Sequence, residues 1–215
     1  MFFVCLYVFG GDIVKEVKAQ GLSVYVVDDG SSDNTAAIAE SAGAVIIKHE
    51  KNMGKGASLR EGFKYILKDR CDAVIVMDGD NQHEAGSIPD FLHHAEAEGA
   101  DMVIGNRMLD TKAMPYVRLN TNRFMSYILS KMCGQKIPDT QCGYKLITRK
   151  VLENITLDSS NFEIESELII KAGRKDFKIT SVPIKTIYED EKSKINPVFD
   201  TLRFFAFMIR MSLKK

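Results

Sequence analysis

One stretch constrains this chain more than any other: Val74-Ile75-Val76-Met77-Asp78-Gly79-Asp80-Asn81-Gln82-His83. Four apolar residues run without a break into two carboxylates separated by one glycine. Such a run predicts a strand buried on both faces, the kind a helix-covered parallel sheet uses at its centre. Open α/β sheets bind ligands beyond the carboxyl ends of their strands, which is where Asp78 and Asp80 fall. Two carboxylates on one strand end repel each other, and a hard divalent cation removes that repulsion. Carboxylate and amide oxygens suit Mg²⁺ or Mn²⁺. Gly79 lets the backbone come close to a phosphate. The bland alternative is a solvated Asp-Gly-Asp turn.

The pattern recurs upstream. Residues 22–27 (Leu-Ser-Val-Tyr-Val-Val) form a predicted strand that ends in Asp28-Asp29-Gly30-Ser31-Ser32-Asp33. Ser32 or Asp33 can cap a helix over 34–41. Capping leaves Asp28 and Asp29 unexplained, and at a strand end a carboxylate can accept hydrogen bonds from a ribose or a base. A third short strand is predicted over 44–47. The segment His49-Glu50-Lys51-Asn52-Met53-Gly54-Lys55-Gly56-Ala57-Ser58 superficially resembles a phosphate loop. The G-x-x-x-x-G-K-[ST] spacing is missing, and Gly56 stands where Ser or Thr is required, so it is not a P-loop. Two readings of Lys55 stay open. It meets an anion at the start of the helix predicted over 57–68, or it is a solvated lysine in a flexible loop.

Further along, a helix over 88–98 precedes a strand over 101–104 that ends in Gly105-Asn106-Arg107. An arginine at a strand end can grip a phosphate with two parallel hydrogen bonds. Met114-Pro115 opens a basic segment with Arg118 and Arg123 and a helix after it. Asp139-Thr140-Gln141-Cys142-Gly143-Tyr144-Lys145 is a polar turn leading into a short strand. Glu163, Glu165 and Glu167 precede an apolar helix over 168–172, where acidic residues suit a helix N-terminus. Strands are predicted over 177–182 and 184–188, separated by Pro183, and the charge run Glu189-Asp190-Glu191-Lys192-Ser193-Lys194 follows.

Strands alternating with helices over 215 residues predict one α/β domain. The 29 basic and 29 acidic residues cancel, so bulk charge gives no support to nucleic-acid binding. Cys5, Cys71, Cys133 and Cys142 are scattered without metal-ligand spacing, which fits a reducing cytoplasm. No apolar run approaches the length that spans a bilayer. Residues 1–9 are apolar but lack a basic leading region and a small-residue cleavage site, so they are expected to be a first strand rather than a signal peptide. Residues 197–215 are helical in period and apolar almost all round, with Arg203, Arg210, Lys214 and Lys215 interspersed. An aromatic-rich helix with basic residues fits the membrane interface. A docked terminal helix or a dimer contact are the alternatives.

The ordered set Val27-Asp28-Asp29-Gly30-Ser31-Ser32-Asp33, Asn52-x-Gly54-Lys55-Gly56, Met77-Asp78-Gly79-Asp80-Asn81-Gln82-His83, Gly105-x-Arg107, Asp139-Thr140-Gln141-x-Gly143-Tyr144 and Lys192-Ser193-Lys194 resembles one family. It is similar to the family 2 inverting glycosyltransferases of GT-A fold, in the branch of dolichol-phosphate mannosyltransferases and related polyprenyl-phosphate glycosyltransferases. The resemblance implies a single Rossmann-like GT-A domain over 1–196 with a mostly parallel central sheet flanked by helices, and an amphipathic C-terminal helix over 197–215. It implies that Asp78, Asp80 and Gln82 hold Mg²⁺ or Mn²⁺ on the diphosphate of a UDP- or GDP-sugar, with Gly79 between them. Asp29 and the Val27 backbone are implied at the nucleoside, Arg107 and Lys194 at phosphate groups, Arg118 and Arg123 more loosely at the acceptor phosphate, and Asp139 near the sugar. On this resemblance Asp80, Asp139 and Arg107 carry catalysis. The implied acceptor is a polyprenyl phosphate at the cytoplasmic face of a membrane, with the protein peripheral on it and an oligomer left open. A lipid phosphate is already anionic and needs no general base. A hydroxyl acceptor needs one, and Asp139 or Glu165 are the candidates. Two departures stand out. Leu6-Tyr7-Val8-Phe9-Gly10-Gly11 occupies the place of the family's Pro-x-Tyr-Asn-Glu-like motif, and acidic residues near Glu189 replace an arginine of the mannosyltransferases. A non-catalytic homologue is therefore the alternative from another class.

Overall fold

In the computed structural model the described residues are 2–7, 11–78, 83–112, 114–185 and 197–213. In chain order they form β1 (Phe2–Tyr7), α1 (Gly11–Ala19), β2 (Ser23–Asp28), α2 (Thr35–Ser41), β3 (Val45–Lys48), α3 (Lys55–Ile66) and β4 (Ala73–Asp78). After a 3₁₀ turn (Ala85–Ser87) come α4 (Ile88–Glu98), β5 (Met102–Asn106), α5 (Tyr116–Cys133), β6 (Lys145–Thr148), α6 (Arg149–Asn154), α7 (Glu163–Arg174), β7 (Ile179–Pro183) and α8 (Pro197–Leu213).

The seven strands make one sheet in the order β3-β2-β1-β4-β6-β5-β7. All neighbours are parallel except at β6, which runs antiparallel to both β4 and β5. This is the mostly parallel α/β sheet that the sequence led us to expect. The chain builds outward from β1 through β2 to β3, then returns to the other side of β1 as β4. In open α/β sheets the ligand-binding crevice lies at the strands' carboxyl ends where the winding direction switches, here between β1 and β4. Tyr7 and Asp78 are partners there, so Asp78 sits on the lip of that crevice.

Burial explains the strand sequences. Ala73 through Met77 are all buried, because helices cover both faces of β4. The main core joins the strands to α1, α3, α4 and α7 through residues such as Ile66, Phe91, Leu146 and Ile169.

Several boundaries differ from expectation. The acidic residues 163, 165 and 167 do not precede the last core helix. They lie inside α7, which begins at Glu163 rather than near Leu168. The strand expected over 177–182 is β7, which starts at Ile179 and closes at Pro183; of the strand expected over 184–188, Ile184 and Lys185 are not in a strand and residues 186–188 fall outside the described residues. Helix α6 was not anticipated, being only six residues long. In α8, Phe204, Phe207, Met208 and Met211 are buried against Leu129 of α5 and Ile170 of α7. The Arg174 guanidinium secures the end of α8 by donating to the Met211 carbonyl at 2.7 Å. Among the described residues no helix is long and apolar enough to cross a membrane.

Candidate active site

The crevice floor is a row of alternating charge. Asp78, the last residue of β4, accepts a 2.6 Å hydrogen bond from Lys55 Nζ at the start of α3. Lys55 Nζ also pairs with Glu165 Oε1 in the first turn of α7. The other oxygen of Glu165 pairs with Lys145 Nζ at the start of β6, and that ammonium donates as well to the Cys142 carbonyl. Among the described residues four elements thus contribute one charge each, and their signs cancel. Lys55 and Lys145 are 7% and 3% exposed, whereas Asp78 keeps 25% of its side chain open.

The electrostatics follow from that packing. Burial alone pushes the Asp78 carboxyl up. Lys55, with His83 and Lys145 behind it, more than reverses this and holds it at about 2. Burial pushes the Lys55 ammonium down, and Asp78 and Glu165 outweigh it, so its pKa lies above the ordinary lysine value. For Glu165, burial raises the pKa, and the opposing charges of Lys145 and Lys55 bring it below the ordinary value.

Backbone geometry shapes the same place. Gly143, just before β6, lies under the Asp78 side chain. A Cβ built on Gly143 would stand 2.5 Å from Asp78 Cγ and closer still to Oδ2. Only glycine leaves room for the carboxylate in this position. At Gly56 a Cβ would meet the Ser159 carbonyl oxygen at 2.6 Å, so the start of α3 packs directly on the 159–161 backbone. The Ser160 carbonyl accepts from the Gly56 and Ala57 N–H groups. The reading of Lys55 as a solvated lysine in a flexible loop does not survive, whereas its ammonium does meet anions, the carboxylates of Asp78 and Glu165. Those first-turn donors are taken, and the ammonium is buried on two carboxylates.

The end of β2 is held differently. Asp29 Oδ1 accepts from the Met53 N–H at 2.7 Å and Oδ2 from the Gly54 N–H at 2.8 Å, and His49 Nδ1 lies 2.7 Å from Oδ1. Asp29 therefore ties the loop before α3 to the sheet edge. Asp28 Oδ1 accepts from the Ser31 N–H, and its Oδ2 is buried with no hydrogen-bond partner among the described residues. Val27 is buried one residue earlier and pairs with Ile47 of β3.

A second ion pair lies buried beyond the end of β5. Arg107 Nε donates to Asp139 Oδ2 at 2.7 Å and Nη2 to Oδ1 at 3.0 Å, a two-pronged pair in which Asp139 is fully buried. The Arg107 and Gln141 backbone N–H groups add to the same carboxylate.

Residues 11–156, more than half of the chain, match the family described as Glycosyl transferase family 2. The chain belongs to this family. It is 35% identical over 186 residues to protein MJ1222 of Methanocaldococcus jannaschii, covering 84% of this chain and 76% of that one. It is 27% identical over 190 residues to the UDP-N-acetylglucosamine–dolichyl-phosphate N-acetylglucosaminyltransferase of Methanococcus voltae, covering 78% and 76%. The fold is similar to that of glucosyl-3-phosphoglycerate synthase from Mycobacterium tuberculosis solved with Mn²⁺, UDP-glucose and phosphoglyceric acid. That likeness has a TM-score of 0.72 at 18% identity, covering 98% of this chain and 79% of the synthase.

Of the residues nominated from the sequence of this glycosyltransferase, the structure brings Asp78 to the switch point, Asp29 and Val27 to the adjacent strand end, and Arg107 onto Asp139. Gly79, Asp80, Gln82 and Lys194 lie outside the described residues. Arg118 and Arg123 are on α5, half-buried and exposed respectively. His83 is buried against the Tyr144 ring, with centroids 5.0 Å apart. The sequence reading missed the joint role of Lys55, Lys145 and Glu165. The one local hint was a lysine between two glycines ahead of a helix, because a lysine gripped in a tight backbone turn has little freedom to reach solvent.

Proposed function

We propose that this protein is an inverting, metal-dependent hexosyltransferase that moves a sugar from a UDP- or GDP-sugar to a polyprenyl phosphate at a membrane surface. The observation that carries the choice of acceptor is the state of the two carboxylates nominated as general bases. Both oxygens of Glu165 face lysine ammonium groups, which hold its proton affinity down. Both oxygens of Asp139 are engaged by Arg107. Neither is placed to take a proton from a hydroxyl acceptor, and a phosphate acceptor has no proton to lose in the attack.

The donor end rests on Asp78. It is an ionised, partly open carboxylate at the ligand-binding end of the sheet, and hard oxygen donors suit Mg²⁺ or Mn²⁺. Asp80 and Gln82 are its proposed partners, and Lys194 is proposed on the diphosphate. A cation held there neutralises charge on the departing nucleoside diphosphate. Asp29 and Val27, at the end of β2, are proposed at the nucleoside. The structurally similar synthase, solved with Mn²⁺ and UDP-glucose, supports a metal-bound donor, and the Methanococcus voltae relative, named for dolichyl phosphate, supports the acceptor.

Membrane contact is proposed through α5. Tyr116, Val117, Phe124 and Tyr127 are exposed on it beside Arg118 and Arg123, the mix of aromatic and basic residues that lies well at a lipid headgroup boundary.

The test begins with calorimetric titration of UDP and GDP with and without Mn²⁺, followed by transfer from the matching nucleotide sugar to a short-chain polyprenyl phosphate. A product that releases its sugar in mild acid carries a glycosyl phosphate and supports the reading. An acid-stable product shows a hydroxyl acceptor and refutes the acceptor assignment. Undiminished transfer by Asp80→Ala refutes the metal site.

A further inference from the structure

Glu165 lies between the buried lysines without touching Asp78 through any bond described above, yet the charge balance of the crevice turns on it. With Glu165 ionised, Lys55 is shared between two carboxylates, and Lys145 is satisfied by the far oxygen of Glu165 and the Cys142 carbonyl. Remove that one negative charge and, among the described residues, the two buried ammonium groups are left with one carboxylate beside them, Asp78. Lys55, already 2.6 Å from Asp78, then has no second described carboxylate to share it, and the local charge becomes more positive by one where a cation has to enter. Desolvated charges at this separation lie well within a Debye length and are poorly screened.

We propose that Glu165 is a positioning residue for the metal carboxylate. By sharing Lys55 and holding Lys145, it weakens the grip of Lys55 on Asp78, which lies over Gly143, and offsets positive charge that would oppose a divalent cation. The inference rests on the metal assignment made above and deepens it: Glu165 is assigned to tuning donor capture rather than to proton abstraction. Its position at the start of α7, a helix anchored in the core by Ile164, Leu168 and Ile169, gives the carboxylate a rigid mount.

The test measures Mn²⁺ uptake by the full-length protein, from the loss of the free-ion paramagnetic resonance signal, with saturating UDP or GDP and without any turnover. Glu165→Gln preserves shape and removes the charge. It should weaken Mn²⁺ binding by about tenfold or more while retaining a cooperative melt. Lys145→Met removes a positive charge from the other side of Glu165 and should shift binding in the opposite direction, tightening it by about threefold. The double variant restores the net charge of wild type and should return close to it, the non-additivity expected of coupled neighbours. A merely structural role for Glu165 would lower the melting temperature in every variant and leave Mn²⁺ affinity of the folded protein alone. Equal Mn²⁺ affinity in wild type and Glu165→Gln overturns the inference and leaves the metal site standing. If Glu165→Gln does not fold, Lys145→Met decides by itself, and unchanged or weaker binding overturns the inference. If wild type takes up no Mn²⁺ with either nucleotide, the metal assignment falls and this inference falls with it.

Discussion

Gly143→Ala is the sharpest probe of the crevice floor. Gly143 does not occupy the left-handed region of backbone space, so alanine meets no conformational penalty there and any effect is steric. The new Cβ would stand 2.5 Å from Asp78 Cγ. Carbon atoms rest about 3.5–4.0 Å apart, so the carboxylate has to retreat by about 1–1.5 Å. Its 2.6 Å bond from Lys55 cannot survive that shift. A hydrogen bond between charged groups contributes about 1.5–3 kcal/mol. A chain of this length loses roughly 2–4 °C per kcal/mol. At about 2 kcal/mol, the melting temperature should fall by about 4–8 °C. Displacement of a catalytic group by about 1 Å typically slows turnover about 100-fold, so transfer and Mn²⁺ uptake should fall far more than stability does. Gly86→Ala is the control, because nothing lies within 4 Å of its added Cβ, and it should stay within about 0.5 kcal/mol of wild type. Calorimetric melting with Mn²⁺ titration measures both quantities. A Gly143→Ala protein that melts and binds Mn²⁺ like wild type would refute the placement of Asp78.

Three further outcomes are expected. Arg107→Ala leaves the fully buried Asp139 carboxylate without its guanidinium and should cost about 3–5 kcal/mol, read by urea denaturation; a loss under about 1 kcal/mol would show that the pair is not buried as described. Burial raises the Glu167 carboxyl, but Lys171 and the Ser159 and Asp158 N–H groups bring it below the ordinary glutamate value. A carboxyl depressed in the folded state contributes stability above its unfolded pKa that is lost as pH falls through the folded one, so melting temperature should drop from about pH 5 towards pH 3, and less steeply in Glu167→Gln. Phe207→Ala empties a buried site between α8, α5 and α7 and should weaken the docking of α8 by about 3–5 kcal/mol. Amide exchange tests this: α8 should lose protection while β4 keeps it, and unchanged exchange in α8 would refute the docking.

Much of the frame was legible locally. The apolar run into Asp78 and the run into Asp28 announced parallel strands with ligand-facing ends, because a strand covered on both faces admits little but apolar residues. Helix ends were read less well, since α7 carries its acidic residues in its own first turns, where they suit the helix dipole as well as they suit a preceding turn. The tail gave an ambiguous pattern. Apolar residues almost all round α8 fit a membrane surface or a packed neighbour equally, and only the positions of Leu129 and Ile170 show which of its residues face protein.

By itself the sequence determined the alternation of strands and helices, the strand ends that carry carboxylates, and the family to which the chain belongs. These are properties of local period and of short motifs, in which neighbours along the chain carry the information. The tertiary structure decided that β6 inserts antiparallel between β4 and β5, and this brings Gly143 beneath Asp78 and Lys145 beside Glu165. It also decided that Lys55 is a buried counter-ion and that Asp139 is locked to Arg107. Charge pairing of this kind joins residues from distant segments. Any lysine on the chain can pair with any carboxylate until the sheet order sets which of them share a dry crevice.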